Sequence, residues 1–225
     1  MRNKKIHNEP LSQDLENLEV MTEEEIEELD FFEEEDGEWA TLTDEELTQL
    51  ERPDHGYTIE DWYGEPLWSE ILPNLWQGGT AGSDETINNR RPNDLSRISK
   101  EDFDTVVTMY SYAQAAGWHV KELRHGIYDS DMRDFDPTDL FDIVRTAHAD
   151  WKKGKKVLIR CQAGWNRSGL VMGLVLIRDG MPAEDAVKII RARRSRNALC
   201  NSHFVDYLMK QNSKDWQGES YGKSA

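Results

Sequence analysis

The sequence predicts an α/β fold, a central mixed but mostly parallel sheet flanked by helices, on three observations. From Trp68 onward, short β-branched or apolar runs alternate with helical patterns, which places helices on the faces of a sheet. A strand-like run, Lys155 to Arg160, stops at Cys161 and is soon followed by Ser168 to Arg178, apolar nearly all round, as a buried helix is. Residues 1–65 show neither pattern and carry runs of like charge, so the packed region begins near Pro66.

Taken in order, Trp68 to Gly79 reads as a strand, a turn at Pro73-Asn74 and a second strand ending at glycines. Phe103 to Met109 is β-branched and apolar, a buried strand. Val120 to Tyr128 predicts another short strand. Leu140, Phe141, Val144 and Ala147 fall at helical spacing within Pro137 to Trp151. Pro182 suits a first helical turn, and Ala183 to Arg194 follows it as a helix. A last helix spans about His203 to Lys210. In the acidic stretch, Thr22 with Glu25 and Thr43 with Glu46 have the spacing of capping boxes. The division expected is a largely flexible acidic arm over 1–65, a domain over 66–212 and a flexible tail over 213–225.

The net charge of −17 in 225 residues is unevenly placed. Residues 1–65 hold 23 acidic against 4 basic side chains, and the remaining 160 hold 21 against 23. The domain is therefore near neutral and open to an anionic ligand, with the arm able to repel it at long range or to bind a partner of its own. No strong basic stripe points to nucleic acid. No apolar run approaches the roughly 20 residues that span a bilayer, and the basic start lacks an apolar stretch, so no membrane partner and a cytoplasmic location are expected. Two cysteines, Cys161 and Cys200, make no disulfide framework. The histidines have no paired ligand spacing, so no metal or other cofactor is expected.

The chemistry is concentrated in Cys161-Gln162-Ala163-Gly164-Trp165-Asn166-Arg167-Ser168. A loop between a buried strand and a helix N-terminus turns several N–H groups inward as an anion nest. Gly164 permits the tight turn. The nest and the helix dipole favour an anionic sulfur on Cys161, an activated nucleophile. Arg167 is placed to bind two phosphate oxygens. Trp165 either stands at the rim of the pocket or packs on the next helix. The basic cluster Arg191, Arg193, Arg194 and Arg196 suits a helix C-terminus. Cys200 reads as a plain buried cysteine.

This stretch resembles the signature loop of the protein tyrosine phosphatase superfamily: histidine-cysteine, five residues, arginine, then serine or threonine. The wider pattern, Ser69 to Gly78, Phe103-Asp-Thr-Val-Val, Arg191-Ala-Arg-Arg and Asn201-Ser-His-Phe204, is similar to the dual-specificity phosphatase branch over about residues 66–212. The late position of the loop, with candidate acids before it, distinguishes it from the low-molecular-weight phosphatases. The resemblance implies a phosphate-binding loop over Gln162–Arg167 and a phosphocysteine on Cys161. It also implies that Ser168 steadies the departing thiolate, a role beside which a helix N-cap stays open. An aspartate upstream is implied as general acid. Asp129, after the strand-like Ile127-Tyr128, has the best spacing and Asp131 competes with it; Asp134 and Asp136 read as a solvated turn, with Asp136 preparing the helix start. Arg160 stands where the family has histidine. Its side chain is expected to point away from the phosphate.

The expected activity is hydrolysis of phosphomonoesters on phosphoprotein or phosphopeptide substrates, phosphotyrosine first and phosphoserine or phosphothreonine next. Two alternatives stand beside it: a catalytically weak phosphatase-like module that binds phosphorylated partners, and an RNA 5′-phosphatase.

Overall fold

A computed structural model describes residues 42–50, 66–80, 98, 101–132 and 136–218. Five strands, β1 (Trp68–Leu72), β2 (Leu75–Gly78), β3 (Thr105–Thr108), β4 (Lys121–Arg124) and β5 (Val157–Arg160), form one sheet in the order β1-β2-β5-β3-β4. Only β1 and β2 run antiparallel, joined by a turn in which Asn74 takes φ 64°, a left-handed position that asparagine tolerates. The other pairs are parallel, with Thr105 opposite Val157 and Thr108 opposite Arg160. The mixed, mostly parallel sheet is the one the sequence predicts.

Alternation along the strands feeds two cores. Val107, Val157 and Ile159 join the larger one, and Val106 and Leu158 face the smaller one with Phe103, Ile98 and Val120. The larger core holds the helices α2 (Pro137–Lys152), α3 (Arg167–Arg178), α4 (Ala183–Arg193) and α5 (Ser202–Leu208). Asp136 caps α2 by accepting from the Thr138 N–H at 2.9 Å, with Pro137 at the first turn. Helix α3 touches β2, β5, α2, α4 and α5, which is why its residues Ser168 to Ile177 are all buried.

Two boundaries move. The arm contains a helix, α1 (Asp44–Leu50), whose start is the expected capping box: the Thr43 N–H donates to Glu46 Oε2 at 2.9 Å, and the Glu46 N–H to Thr43 Oγ1 at 3.2 Å. It packs on α4, where Arg193 Nε donates to Glu46 Oε1 at 2.9 Å, and Leu42 lies against the core. A flexible arm is thus not the description of residues 42–50. Thr22 and Glu25 lie outside the described residues. The tail is likewise corrected, because packing continues past 212. Helix α6 (Ser213–Gln217) inserts Trp216, fully buried, against Phe141 with ring centroids 6.0 Å apart. A five-residue polar stretch with one tryptophan has no helical period to read, and only the hollow between α2 and α3 makes it ordered.

Candidate active site

The loop from Cys161 to Asn166 leaves the C-terminal end of the central strand β5 and enters α3. Its shape follows from where its carbonyls go. Gln162 O accepts from the Thr80 N–H at 3.0 Å and Trp165 O from the Leu199 N–H at 3.3 Å. Ala163 O accepts from Arg194 Nη2 at 3.3 Å. Gly164 O accepts from Arg194 Nε at 3.0 Å and from Gln77 Nε2 at 3.1 Å. With these carbonyls turned outward and satisfied, the Gly164 N–H faces the loop interior. Gly164 makes the turn at φ +80°, packed so closely on β2 that a Cβ there would lie 2.3 Å from the Gly78 carbonyl carbon.

Inside the loop sits the Cys161 sulfur, buried, with the Gly164 N–H donating to it at 3.3 Å and the Ser168 hydroxyl 3.3 Å away. Ser168 is the second residue of α3 rather than its cap, and its hydroxyl contacts the sulfur. Arg167 begins α3. Its Nη2 donates to Gln162 Oε1 at 3.2 Å, its guanidinium carbon lies 5.0 Å from the centre of the Tyr110 ring, and its Nε is buried with no partner among the described residues. A buried, unsatisfied guanidinium donor at the exit of a loop whose Gly164 N–H points inward can hold an anion. Trp165 is buried and therefore packs inward instead of standing at a rim.

The predicted acids arrive by another route. Asp129 Oδ2 accepts from Asn166 Nδ2 at 3.1 Å, and Asp129 Oδ1 from Asn201 Nδ2 at 2.9 Å. Both amides are oriented by backbone donors. Asn166 Oδ1 takes the Asn201 N–H at 3.0 Å, and Asn201 Oδ1, capping α5, takes the His203 N–H at 3.0 Å. Their nitrogens must then face the carboxylate. Asn201 Nδ2 also donates to Ser130 O at 3.0 Å. The loop 129–131 is thereby tied to the signature loop and to the start of α5. Asp131 is half-buried two residues on. Asp134 lies outside the described residues. Cys200, read as buried, is exposed and donates to Asn166 Oδ1 at 3.2 Å.

Arg160 does point away from the loop interior. It is buried; its Nε donates to Thr108 Oγ1 at 2.9 Å, and its Nη2 to Gln114 O at 2.7 Å and Glu122 Oε1 at 3.1 Å. Burial pushes the Glu122 carboxyl up, but the Thr108 hydroxyl, the Ala116 N–H and the Arg124 and Arg160 charges outweigh it and hold it below its usual range. The residues missed by sequence reasoning are Gln77 and Arg194, which hold the loop from behind. Arg194 sits in sequence where a helix end is expected, and nothing local shows that its guanidinium reaches Ala163, Gly164 and Pro66. Among the described residues there is no cluster poised for a metal ion, and no helix is long and apolar enough to cross a membrane.

Strand, outward-bonded loop, cysteine at its floor and arginine at its exit form one constellation at the C-terminal end of the central strand of an α/β sheet. The chain belongs to the dual specificity phosphatase catalytic domain family, which it matches over residues 95–214. It is similar to the human protein tyrosine phosphatase type IVA 3, with 41% identity over 61 residues, 27% of this chain and 34% of that one. The bovine and mouse proteins of that name match equally. The chain thus spans about a third of the length of the curated relatives it matches. Its fold is similar to that of human DUSP28, with TM-score 0.50 and 20% identity over 64% of this chain and 92% of that one. The human tyrosine phosphatase-like serine/threonine/tyrosine-interacting protein has the same score and identity over 64% and 93%.

Proposed function

We propose that the chain hydrolyses phosphomonoesters of phosphoproteins, phosphotyrosine before phosphoserine or phosphothreonine, in the cytoplasm and without a metal. The observation that carries this reading is the Cys161 sulfur held by the Gly164 N–H and the Ser168 hydroxyl at the floor of a loop whose carbonyls are bonded outward. The phosphate oxygens occupy the inward N–H groups and the Arg167 guanidinium. The Cys161 thiolate attacks phosphorus as the bond to the leaving oxygen breaks, and that oxygen takes a proton from a carboxylic acid of loop 129–131. Asp129 has both oxygens engaged by amide donors, which favours Asp131 as the donor. Water then attacks phosphorus and returns a proton to that carboxylate. The sulfur–phosphorus bond breaks, and the Ser168 hydroxyl bonds the departing thiolate.

A second reading, a module that binds phosphorylated partners without turnover, is favoured by Arg160 in place of histidine and by that alone. The test is the Cys161→Ser chain, since a serine hydroxyl there is far less ionised. It should lose hydrolysis of nitrophenyl phosphate and phosphopeptides while still binding the peptides. Retention of more than a tenth of native turnover sinks the nucleophile assignment, and a native chain that binds without turnover selects the module.

A further inference from the structure

Tyr110 and Tyr112 lie on the segment that leaves β3 beside the cradle, outside the signature loop and the acid loop. The Tyr110 ring lies against Arg167. The Tyr112 ring meets it edge-on, centroids 5.7 Å apart at 63°, and is 81% exposed. A large ring so exposed, one ring removed from Arg167, gains nothing from the core. The segment beneath it is nonetheless held firmly. Arg160 Nη2 donates to Gln114 O at 2.7 Å. Arg124 Nη2 donates to Ala113 O at 2.7 Å and to Ser111 O at 3.4 Å. Glu122 Oε2 accepts from the Ala116 N–H at 3.0 Å. The three charges are themselves joined, since Glu122 Oε1 takes Arg160 Nη2 at 3.1 Å, Arg124 Nη1 at 2.8 Å and the Thr108 hydroxyl at 2.6 Å. A connection between strands is usually satisfied by water. Here a charge cluster, costly to desolvate, fixes four of its backbone groups.

We propose that residues 110–116 are the specificity wall of the phosphate cleft, with Tyr110 and Tyr112 packing against the ring of a phosphotyrosine whose phosphate lies on Arg167, and Glu122, Arg160 and Arg124 holding the wall in place. The proposal rests on the phosphatase reading and adds the element that selects an aryl phosphate. Aromatic rings attract one another edge-to-face or offset, a contact that phosphothreonine cannot make. Arg160 thus becomes a positioning residue acting through the wall.

The test uses the full chain and paired phosphotyrosine and phosphothreonine peptides of identical flanking sequence. The kcat/KM ratio is measured in the Cys161 form, and the binding ratio in the Cys161→Ser form by fluorescence anisotropy. Tyr112→Leu should lower the phosphotyrosine preference at least fivefold. Glu122→Gln should lower it at least threefold by freeing the wall. Trp118→Leu, 97% exposed but outside the wall, should leave it within twofold. A Tyr112→Leu chain that keeps the native ratio, or that weakens both peptides alike, overturns the proposal even if Glu122→Gln fails to fold. Absence of native turnover overturns the phosphatase reading, while the binding ratio still decides the wall. Binding of neither peptide overturns the wall.

Discussion

At the scale of single residues, hydrogen bonding ties one of the two candidate acids in place. A general acid must present a proton, and Asp129 receives a donor on each oxygen from amides whose orientation is locked. Asp129 thus ties its loop to Asn166 and Asn201, and the proposed reaction draws its proton from Asp131. Asp131→Asn should lower phosphopeptide turnover by about 10²–10⁴-fold, less for nitrophenyl phosphate with its good leaving group. It should also abolish the decline in kcat as pH rises through the acid's pKa, because only the protonated form is active. Asp129→Asn should cost about tenfold through a loosened loop and keep that decline. The pH–rate profiles of both variants decide it, and the reverse pattern returns the proton to Asp129. Spacing alone ranks the two the other way, because a sequence does not show which oxygens Asn166 and Asn201 reach across 37 and 72 residues.

At the scale of elements, the signature loop is legible because its pattern is continuous in sequence, but its rigidity comes from neighbours. Gly164→Ala meets two penalties, the left-handed φ of +80° and a Cβ 2.3 Å from Gly78 and 2.4 Å from Gly79 backbone. Gly154→Ala meets only the first, at φ +76° with nothing within 4 Å. Denaturant unfolding should show about 1 kcal/mol lost for Gly154→Ala and about 3 kcal/mol or more for Gly164→Ala. Inhibition by inorganic phosphate should weaken in the latter alone. Asp150 of α2 does for β3 and β4 what Arg194 does for the loop. Burial pushes its carboxyl up, but hydrogen bonds from Lys121, Lys155 and Thr105, each 2.8 Å, outweigh it and lower its pKa to about 2. Its folded value lies below its unfolded one. The stability it contributes is therefore complete above pH of about 4 and lost as pH falls toward about 2. Both lysines are partly exposed, so screening limits the contribution to at most about 2 kcal/mol. Urea unfolding at pH 7 and pH 3 should show a smaller pH difference in Asp150→Asn than in the native chain.

At the scale of the whole molecule, both cores follow from the side-chain pattern along the strands, and the sheet order and the ends of the fold do not. Deleting residues 213–225 removes Trp216 from its fully buried place on Phe141 and should lower the unfolding free energy by about 3–5 kcal/mol. Deletion from 219 onward, measured beside it by denaturant unfolding, should cost much less. A loss in the first no larger than in the second would return α6 to the tail.

The sequence by itself determined the α/β class, the strands from Trp68 to Arg160, the phosphate-loop pattern from Cys161 to Ser168 and the Thr43–Glu46 cap. Each is a local matter, written in alternation, helical period or a run of adjacent residues whose geometry short-range sterics and hydrogen bonds dictate. Only the tertiary structure decided that Arg194 and Gln77 brace the loop, that Arg160 answers Glu122, that Asp129 is held by Asn166 and Asn201, and that Trp216 belongs to the core. Those depend on which distant side chains a closed fold brings within about 3 Å of one another, and a hydrogen bond is decided at that distance and by its angle, neither of which a linear sequence carries.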